Sequence, residues 1–260
     1  MPLSPEFTDP RLVAVYDTLN AYAPGAQPDF YLRVARECGA RSVVEVGCGT
    51  GLVSRLFVER GYDVTGIDPS GPMLEIARAR PGAGRARWIE GDVGALDVTD
   101  ADFAFMAGHV AQFFISDDSW RHALRVLHGA LRPGGHLAFE SRNPAARGWE
   151  TWGDRTTTVD PVAGPVERWG EVHDVSGDVV SGRMHVRFLR DGDELVVDGP
   201  QLRFRSVDEL RRSLDEAGFA VTQAYGGWDR RPLDERSPEI ILVAAKRGGT
   251  AAEQVVGGAG

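Results

Sequence analysis

Strand-like and helix-like patterns of hydrophobic residues alternate along most of the chain. Residues 8–40 carry apolar side chains at three- to four-residue spacing, which predicts two helices. Between residues 41 and 144, five short apolar runs typical of strands alternate with helical patterns at 51–61, 71–80 and 116–135. The runs are nearly continuous in apolar residues, as in parallel strands buried on both faces. The pattern therefore predicts an α/β fold with a mostly parallel sheet and helices on both faces.

The pattern changes near residue 147. Runs such as VERWGEVHDV and VVSGRMHVRFLR have no helical period and indicate antiparallel strands joined by Gly/Asp turns. A helix at 206–219 and two more strands follow, so we expect a seven-stranded, Rossmann-like sheet with an antiparallel β insertion after the fifth strand. The expected organisation is a helical cap at 1–40, a core at 41–146 and 206–247, an insertion at 147–205 that is a substrate lid or a dimer element, and a flexible tail at 248–260.

A glycine-rich bend follows the first strand of the predicted sheet, in the stretch VVEVGCGTGL. Glycine tolerates positive φ and lets a ligand approach the backbone closely. A dinucleotide fingerprint needs G-x-G-x-x-G, but Leu52 stands where the third glycine would fall, and no Gly-Lys-Ser/Thr follows for a P-loop. Glu45 lies two positions before the first glycine. Its carboxylate would crowd a pyrophosphate and would suit a ligand that carries an ammonium group.

This bend, with GIDPS one strand later and EGDV after the third strand, resembles the class I S-adenosylmethionine-dependent methyltransferases. The resemblance covers essentially the whole chain: LRPGGHLAFESRNP resembles the fifth-strand motif, and AGFAVTQAYGGW and SPEIILVAAK resemble the reversed sixth and seventh strands. It is nearest to bacterial small-molecule enzymes with a β-rich lid. It implies SN2 transfer of a methyl group from S-adenosyl-L-methionine, leaving S-adenosyl-L-homocysteine, to an O or N nucleophile of a small organic acceptor such as a natural-product intermediate.

The resemblance also implies a cofactor shell. Asp68, at the end of the second strand, would accept hydrogen bonds from both ribose hydroxyls, or serve only as a turn residue before proline. Asp92 would accept from the adenine amino group while the Val93 amide donates to a ring nitrogen, or Asp92 would only cap the following turn. The methionine portion would be surrounded by Glu45, Gly47, Cys48 and Gly49. Further cofactor contacts are implied for Pro69, Met73, Ala107 and Gly108.

The catalytic and acceptor-binding residues are harder to predict than the cofactor shell. His109 follows the fourth strand, where the methyl group should emerge, and histidine titrates near neutral pH, so it is the leading candidate for a general base. Alternatively, His109 only caps a turn or shapes the pocket floor. Arg142 would hold an acidic group of the acceptor or would pair with Glu140 or an acid of the lid. The candidate acceptor-binding side chains, several of them aromatic groups that can exclude water, are Tyr16, Tyr22, Tyr31, Arg142, Asn143, Trp149 and Trp152.

Composition limits the partners. The formal net charge is −9, whereas a basic face is the usual footprint of nucleic-acid binding, so no nucleic acid is expected. No apolar run approaches the roughly 20 residues that span a bilayer, and no signal peptide is recognisable, so we expect a cytoplasmic monomer or homodimer without a membrane partner. The six histidines and two cysteines show no metal-ligand spacing, and no metal is expected.

Three other functions compete with small-molecule methylation. A methyltransferase of this type could act on tRNA or protein, although the acidic composition argues against RNA. The chain could bind S-adenosylmethionine without turning it over. An NAD-dependent oxidoreductase is the remaining rival, which binding of a nicotinamide cofactor would support.

Overall fold

A computed structural model of the protein describes residues 3–21 and 27–248. The helices are α1 (Pro10–Leu19), α2 (Gln27–Glu37), α3 (Ser54–Glu59), α4 (Gly71–Ala79), α5 (Asp117–Ala130) and α6 (Val207–Glu216). The strands are β1 (Ser42–Val46), β2 (Asp63–Asp68), β3 (Ala86–Glu90), β4 (Ala101–Met106), β5 (Leu131–Arg142), β6 (Thr156–Asp160), β7 (Gly164–Ser176), β8 (Val179–Phe188), β9 (Asp193–Asp198), β10 (Leu202–Arg203), β11 (Phe219–Tyr225) and β12 (Glu239–Lys246). None of the helices in these ranges has both the length and the apolar character needed to cross a membrane.

The larger sheet has seven strands in the order β11-β12-β5-β4-β1-β2-β3. The pairs among β1 to β5 are parallel, whereas β12 runs antiparallel to both β5 and β11. This sheet confirms the predicted mostly parallel, seven-stranded architecture. Because the first five strands are parallel, their carboxyl ends lie along one edge, where the predicted glycine bend also lies.

Successive residues of the central strands pack on opposite faces of this sheet. Val44 and Met106 lie in a cluster with side chains of α5 and α6, whereas Val43 and Phe105 lie in a cluster with side chains of α2 and α3. Strand side chains alternate between faces, and here both faces are covered by helices. This double burial explains why the strands read as nearly continuous apolar runs.

The insertion forms a separate antiparallel sheet in the order β10-β8-β7-β6, with β9 pairing to β8. Helix α1 packs on it, since Leu12 and Val15 cluster with Val166, Val186 and Phe188. The antiparallel insertion is as predicted, and its shortest strand, β10, has two residues. The insertion sheet and α1 together form a layer over the carboxyl edge of the larger sheet, because both contribute side chains to the cavity described below.

The boundary between α5 and β5 differs from the sequence-based expectation. A helix was expected to continue to the Pro-Gly-Gly at 133–135, but α5 ends at Ala130 and Leu131 already pairs with Ala101 of β4. Leu131 is extended, with φ −85° and ψ 144°. Its neighbour Arg132 precedes Pro133, and a residue before proline is pushed away from helical backbone angles. The predicted tail at 248–260 lies outside the described residues except for Gly248.

Candidate active site

A cavity of about 500 Å³ opens at the carboxyl edge of the larger sheet. It lies where β1 meets β2 on one side and β4 on the other, which is where the strand order reverses and where α/β folds place their ligands. Helix α1 contributes Tyr16 to the wall, the turn after α1 contributes Asn20, and β7 of the insertion contributes Arg168. The cavity is therefore bounded by both sheets and by the first helix.

The glycine bend after β1 forms one wall. Gly47 and Gly49 have φ of +71° and +51°, in the left-handed region that favours glycine. A Cβ on Gly47 would lie 2.4 Å from Cγ2 of Val110, whereas a Cβ on Gly49 would meet no atom within 4 Å. The amides of Gly47 and Cys48 both donate to the carbonyl of Ile67 in β2, at 2.8 and 3.1 Å. The bend is thus fixed to β2, and it presents bare backbone to the cavity.

Glu45 lies beneath the bend as a buried acid that faces the cavity. Its side chain is almost fully enclosed and accepts a hydrogen bond from the Ser54 hydroxyl. Burial raises the pKa of Glu45 to about 8, against the Ser54 hydrogen bond that lowers it. Among the described residues, no Lys, Arg or His forms an ion pair with Glu45. A cationic group of a ligand would supply the charge that the protein does not.

Two further carboxylates lie at the neighbouring strand ends. Oδ2 of Asp68 accepts from the Gly49 amide and Oδ1 accepts from the Ser70 amide, both at 2.8 Å. Burial raises the pKa of Asp68, and these two hydrogen bonds lower it. Each oxygen retains acceptor capacity, so Asp68 can still take two hydroxyl donors. Oδ1 of Asp92 accepts from the Gly94 amide at 2.9 Å, as the turn-cap alternative requires, and Oδ2 remains for a ligand.

All residues predicted to contact the cofactor line this one cavity. They come from the ends of β1, β2 and β4, from the turn after β3 and from α4. The set is Glu45, Gly47, Cys48, Gly49, Asp68, Pro69, Met73, Asp92, Val93, Ala107 and Gly108. Within the described ranges, no group of three or more His, Cys, Asp and Glu side chains could hold a metal ion.

His109 lies in the same cavity wall and is held at two points. Its amide donates to Oε1 of Glu140 at 2.8 Å, and its Nε2 lies 3.0 Å from both carboxylate oxygens of Glu239. Its φ of +62° is unusual for a residue other than glycine. An ionised carboxylate only accepts hydrogen bonds, so the contact with Glu239 puts the proton on Nε2 and leaves Nδ1 as the basic nitrogen.

Sequence reasoning missed Glu239. It lies 130 residues from His109 in the chain and opens β12, where it pairs in register with Arg142 of β5. The available signal was its place at the start of the last strand: an antiparallel strand begins at the edge where its parallel neighbours end.

Glu140 organises the floor beside His109. It is fully buried and accepts hydrogen bonds from the Gln27 side-chain amide, the Tyr31 hydroxyl and the His109 amide. Burial raises the pKa of Glu140, while His109 and the Tyr31 hydrogen bond lower it. The predicted alternative of an Arg142–Glu140 pair is not formed, because Arg142 donates instead to Oε1 of Gln112 at 2.9 Å.

The predicted acceptor-binding residues divide into two groups. Tyr16 and Arg142 line the cavity, and burial raises the pKa of the Tyr16 hydroxyl. Tyr31, by contrast, is fully buried and packs 4.9 Å from Phe105 with its hydroxyl bound to Glu140. This placement differs from the expectation because the apolar period of α2 directs Tyr31 into the core. Tyr22 lies outside the described residues.

Three more predicted acceptor contacts stand apart from the cavity lining. The Asn143 side chain caps the turn Pro144–Ala146 and donates to the Ser237 carbonyl at 2.8 Å. Trp149 and Trp152 pack against Phe204, with ring centroids 4.7 and 6.2 Å away. Phe204, just after β10, gives both tryptophans an apolar partner in a small satellite core, where they are partly buried.

Comparisons with known proteins agree with this geometry. Residues 43–135 match the model of a family described as a methyltransferase domain. The chain is 24% identical over 247 residues to the cypemycin N-terminal methyltransferase of a Streptomyces species, covering 94% of this chain and 99% of that relative. Residues 43–135 therefore form a methyltransferase domain, within a fold shared with S-adenosylmethionine-dependent class I methyltransferases.

Other relatives show how far the likeness extends. The methyltransferase is 33% identical over 129 residues to the malonyl-[acyl-carrier protein] O-methyltransferase of Pseudescherichia vulneris, which is 50% of this chain and 49% of that relative. It therefore spans about half the length of that relative. Its fold matches the structure of an S-adenosylmethionine-bound amino pentose methyltransferase from Micromonospora echinaspora with a TM-score of 0.67, 22% identity, and coverage of 89% of this chain and 96% of that one.

The cofactor of the methyltransferase is S-adenosylmethionine, and the walls of the cavity fit such a ligand. The uncompensated Glu45 suits an ammonium group, and Asp68 has acceptor capacity for two hydroxyls. A side chain on Gly49 would project into open space at the bend, so bare backbone is what leaves room there. The predicted family, fold and cofactor are confirmed.

Proposed function

We propose that this methyltransferase transfers a methyl group to an amine nitrogen of a small organic molecule. The observation that carries the proposal is the cavity, which extends from the glycine bend to His109 and is covered by α1 and the insertion sheet. Its volume of about 500 Å³ falls within the range of roughly 300–1,000 Å³ that small-molecule sites occupy. A relative named as an N-terminal methyltransferase and a structural neighbour named as an amino pentose methyltransferase support nitrogen as the acceptor atom.

The cofactor would be held by the three strand-end carboxylates. When bound, S-adenosylmethionine supplies a methyl group on a positively charged sulfur. Glu45 would hold the ammonium of its methionine portion, Asp68 the two ribose hydroxyls, and Asp92 with the Val93 amide the adenine edge. Ala107 and Gly108 carry no bulky side chain, so they would leave space beside His109 for the acceptor.

His109 would act as the general base. An amine is protonated at neutral pH and must lose that proton before its lone pair can react. Nδ1 of His109 would take the proton, directly or through one water, and Glu239 would stabilise the resulting imidazolium. Such a base contributes about 10²–10⁴-fold, whereas orientation of the two reactants contributes about 7–11 kcal/mol, so the enclosing walls matter at least as much.

The cap and the insertion would close the acceptor site. Helix α1 is fixed to the insertion sheet through Leu12, Val15 and Phe188, and Tyr16 and Arg168 project from the same layer into the cavity. We therefore infer that residues 1–40 and 147–205 work together as a lid over the core formed by 41–146 and 206–247. Exclusion of water by this lid would strengthen electrostatic contacts inside the cavity.

An oxygen nucleophile is the second candidate, because the malonyl-[acyl-carrier protein] relative is an O-methyltransferase. The net charge of −9 favours a small-molecule partner over tRNA. The proposal also includes a cytoplasmic location and a monomer or homodimer that needs neither a nucleic acid nor a membrane.

Calorimetry followed by a transfer screen tests the proposal. S-adenosylhomocysteine is titrated first, and the Asp68→Ala variant serves as the binding-deficient control. Methyl transfer from labelled S-adenosylmethionine is then measured on panels of small amines, small phenols and carboxylic acids, bulk tRNA and a protein mixture. We expect binding and N-methylation of a small amine. Binding without transfer to any panel would indicate a non-catalytic module, and nicotinamide cofactor binding in place of S-adenosylhomocysteine would overturn the assignment.

A further inference from the structure

Two arginines face the acceptor side of the cavity without an acidic partner. Arg142 lies at the end of β5 and Arg168 lies in β7, and both line the cavity. Nη1 of Arg142 donates to Oε1 of Gln112 and Nη1 of Arg168 donates to Oδ1 of Asn20, both at 2.9 Å. Neither guanidinium forms an ion pair with any Asp or Glu of the described ranges. Since amide oxygens are neutral, neither guanidinium has an anion in direct contact within the described ranges.

Burial makes the positive charge of Arg142 unfavourable unless an anion lies nearby. Burial lowers the pKa of Arg142, Glu239 and Glu140 raise it, and the Arg168 cation lowers it. An arginine nonetheless stays protonated in a protein, so the positive charge must be accommodated. The Trp152 ring lies 5.5 Å from Cζ of Arg142 and gives a modest cation–π contact. Both guanidinium groups line one cavity and the Arg168 cation acts on Arg142, so an anion bound between them would relieve their mutual repulsion.

Nearby acids do not fill that role. Glu239 is engaged by His109, and Glu140 accepts hydrogen bonds from Tyr31 and the His109 amide. Glu6 is the remaining acid near both arginines, and burial raises its pKa to about 7 against their opposing influence. It is therefore partly protonated at neutral pH and forms no ion pair within 4 Å in the described chain.

We propose that Arg142 and Arg168 form a subsite for an anionic oxygen group of the methyl acceptor, a carboxylate or a phosphate. Guanidinium groups bind such anions through parallel N–H donors, which fixes orientation as well as charge. The inference rests on the proposed function, because it assigns the far end of the same acceptor. The acceptor is then a small amine with an anionic group, held so that its nitrogen lies near His109.

The cofactor's own carboxylate is the competing source of this anion. The glycine bend follows β1, and β4 lies between β1 and β5. Neighbouring strands are about 4.8 Å apart, so the end of β5 lies about 10 Å from the end of β1 across the sheet. Arg142 is therefore on the side of the cavity away from the methionine-binding wall, and Arg168 approaches from the insertion.

The first measurement separates these two sources. S-adenosylhomocysteine and 5′-methylthioadenosine, which lacks the amino-acid portion, are titrated into wild type, Arg142→Gln, Arg168→Gln and the control Arg183→Gln. Arg183 is an exposed arginine of the same insertion, paired with Asp198. We expect both affinities to change less than threefold in every variant. A tenfold or greater loss for S-adenosylhomocysteine alone would assign the arginines to the cofactor carboxylate and overturn the inference.

The second measurement probes the anion directly. Inorganic phosphate and acetate are titrated, at constant ionic strength, into the protein saturated with S-adenosylhomocysteine. We expect at least one of the two anions to bind wild type and Arg183→Gln with similar affinity. The same anion should bind Arg168→Gln at least tenfold more weakly, and Arg168→Lys with intermediate affinity. Whether phosphate or acetate binds shows which anionic group the subsite takes. No binding to wild type, or equal binding to Arg168→Gln, overturns the inference. If wild type does not bind S-adenosylhomocysteine, the proposed function itself is refuted. The anion titration uses Arg168→Gln, so it still tests the inference if Arg142→Gln does not fold.

Discussion

Nε2 of His109 lies 3.0 Å from both carboxylate oxygens of Glu239, which joins the tip of β4 to the start of β12 across β5. The two residues are 130 positions apart in the chain. The contact fixes the ring orientation and the tautomer, so the basic Nδ1 is defined by the fold. It also places a negative charge where an imidazolium would form during proton abstraction.

Glu239→Gln is expected to lower kcat by about 10- to 100-fold at neutral pH, which is less than the roughly 10²–10⁴-fold attributed to a general base itself because Glu239 only positions that base. The amide is neutral and can donate to Nε2, which would favour the wrong tautomer. The value of kcat at neutral pH, measured with an amine found in the screen, tests this expectation.

Glu171→Gln is the matched control. Glu171 contacts Nε2 of His185 at 3.3 Å on the insertion sheet, where both residues lie outside the cavity lining. This variant should leave kcat unchanged. If Glu239→Gln behaved like Glu171→Gln, His109 would have only a structural role.

Gly47→Ala is expected to lose at least tenfold in affinity for S-adenosylhomocysteine. The added Cβ would lie 2.4 Å from Cγ2 of Val110, so the bend or the His109-bearing turn must shift. Gly61→Ala is the control, because Gly61 has φ +83° and open space around it. Both variants should lose about 1–2 kcal/mol of folding stability from the left-handed backbone, but only Gly47→Ala should lose binding.

Calorimetric titration with S-adenosylhomocysteine and thermal unfolding report the two effects separately. The double variant Gly47→Ala with Val110→Ala should regain part of the affinity, because the clashing side chain is removed.

Asp68→Asn is expected to weaken S-adenosylhomocysteine binding by about 10- to 150-fold, which corresponds to about 1.5–3 kcal/mol for hydrogen bonds to a charged group. Asparagine keeps one acceptor oxygen, so it can serve only one of the two backbone amides that now hold the carboxylate. Asp63→Asn, an exposed carboxylate at the other end of β2, should bind normally. Equal affinities for the two variants would argue that Asp68 is only a turn residue.

The affinity for S-adenosylhomocysteine should rise between pH 6 and pH 8. Burial raises the pKa of Glu45 to about 8, so in this interval the ligand-free protein carries a proton on Glu45. A bound ammonium favours the carboxylate and lowers that pKa, so binding releases a proton and becomes easier as pH increases, by at most tenfold per pH unit. Calorimetry in two buffers of different ionisation enthalpy measures the released proton.

Glu45→Gln provides the comparison, since it cannot release this proton. Its binding should be weaker than that of wild type at pH 8 and nearly independent of pH from 6 to 8, apart from the contribution of Glu6. A wild-type affinity that is flat over this interval would contradict contact between Glu45 and the ammonium.

The sequence by itself determined the element order, the parallel sheet and the cofactor end of the cavity. Strand and helix periods are local, and the carboxyl ends of parallel strands share one edge, so Glu45, Asp68 and Asp92 could be brought together by their positions at successive strand ends. The left-handed glycines were likewise readable, since a bend between a strand and a helix requires them.

The tertiary structure alone decided the acceptor end. Glu239 reaches His109, and Arg168 reaches the same cavity as Arg142, through strands that are distant in the chain. Tyr31 was predicted to contact the acceptor, but it is buried in the core, where its hydroxyl donates to Glu140. For the strand residues the physical reason is register: in an antiparallel strand a shift of one residue moves every side chain to the other face, and local sequence does not fix that register.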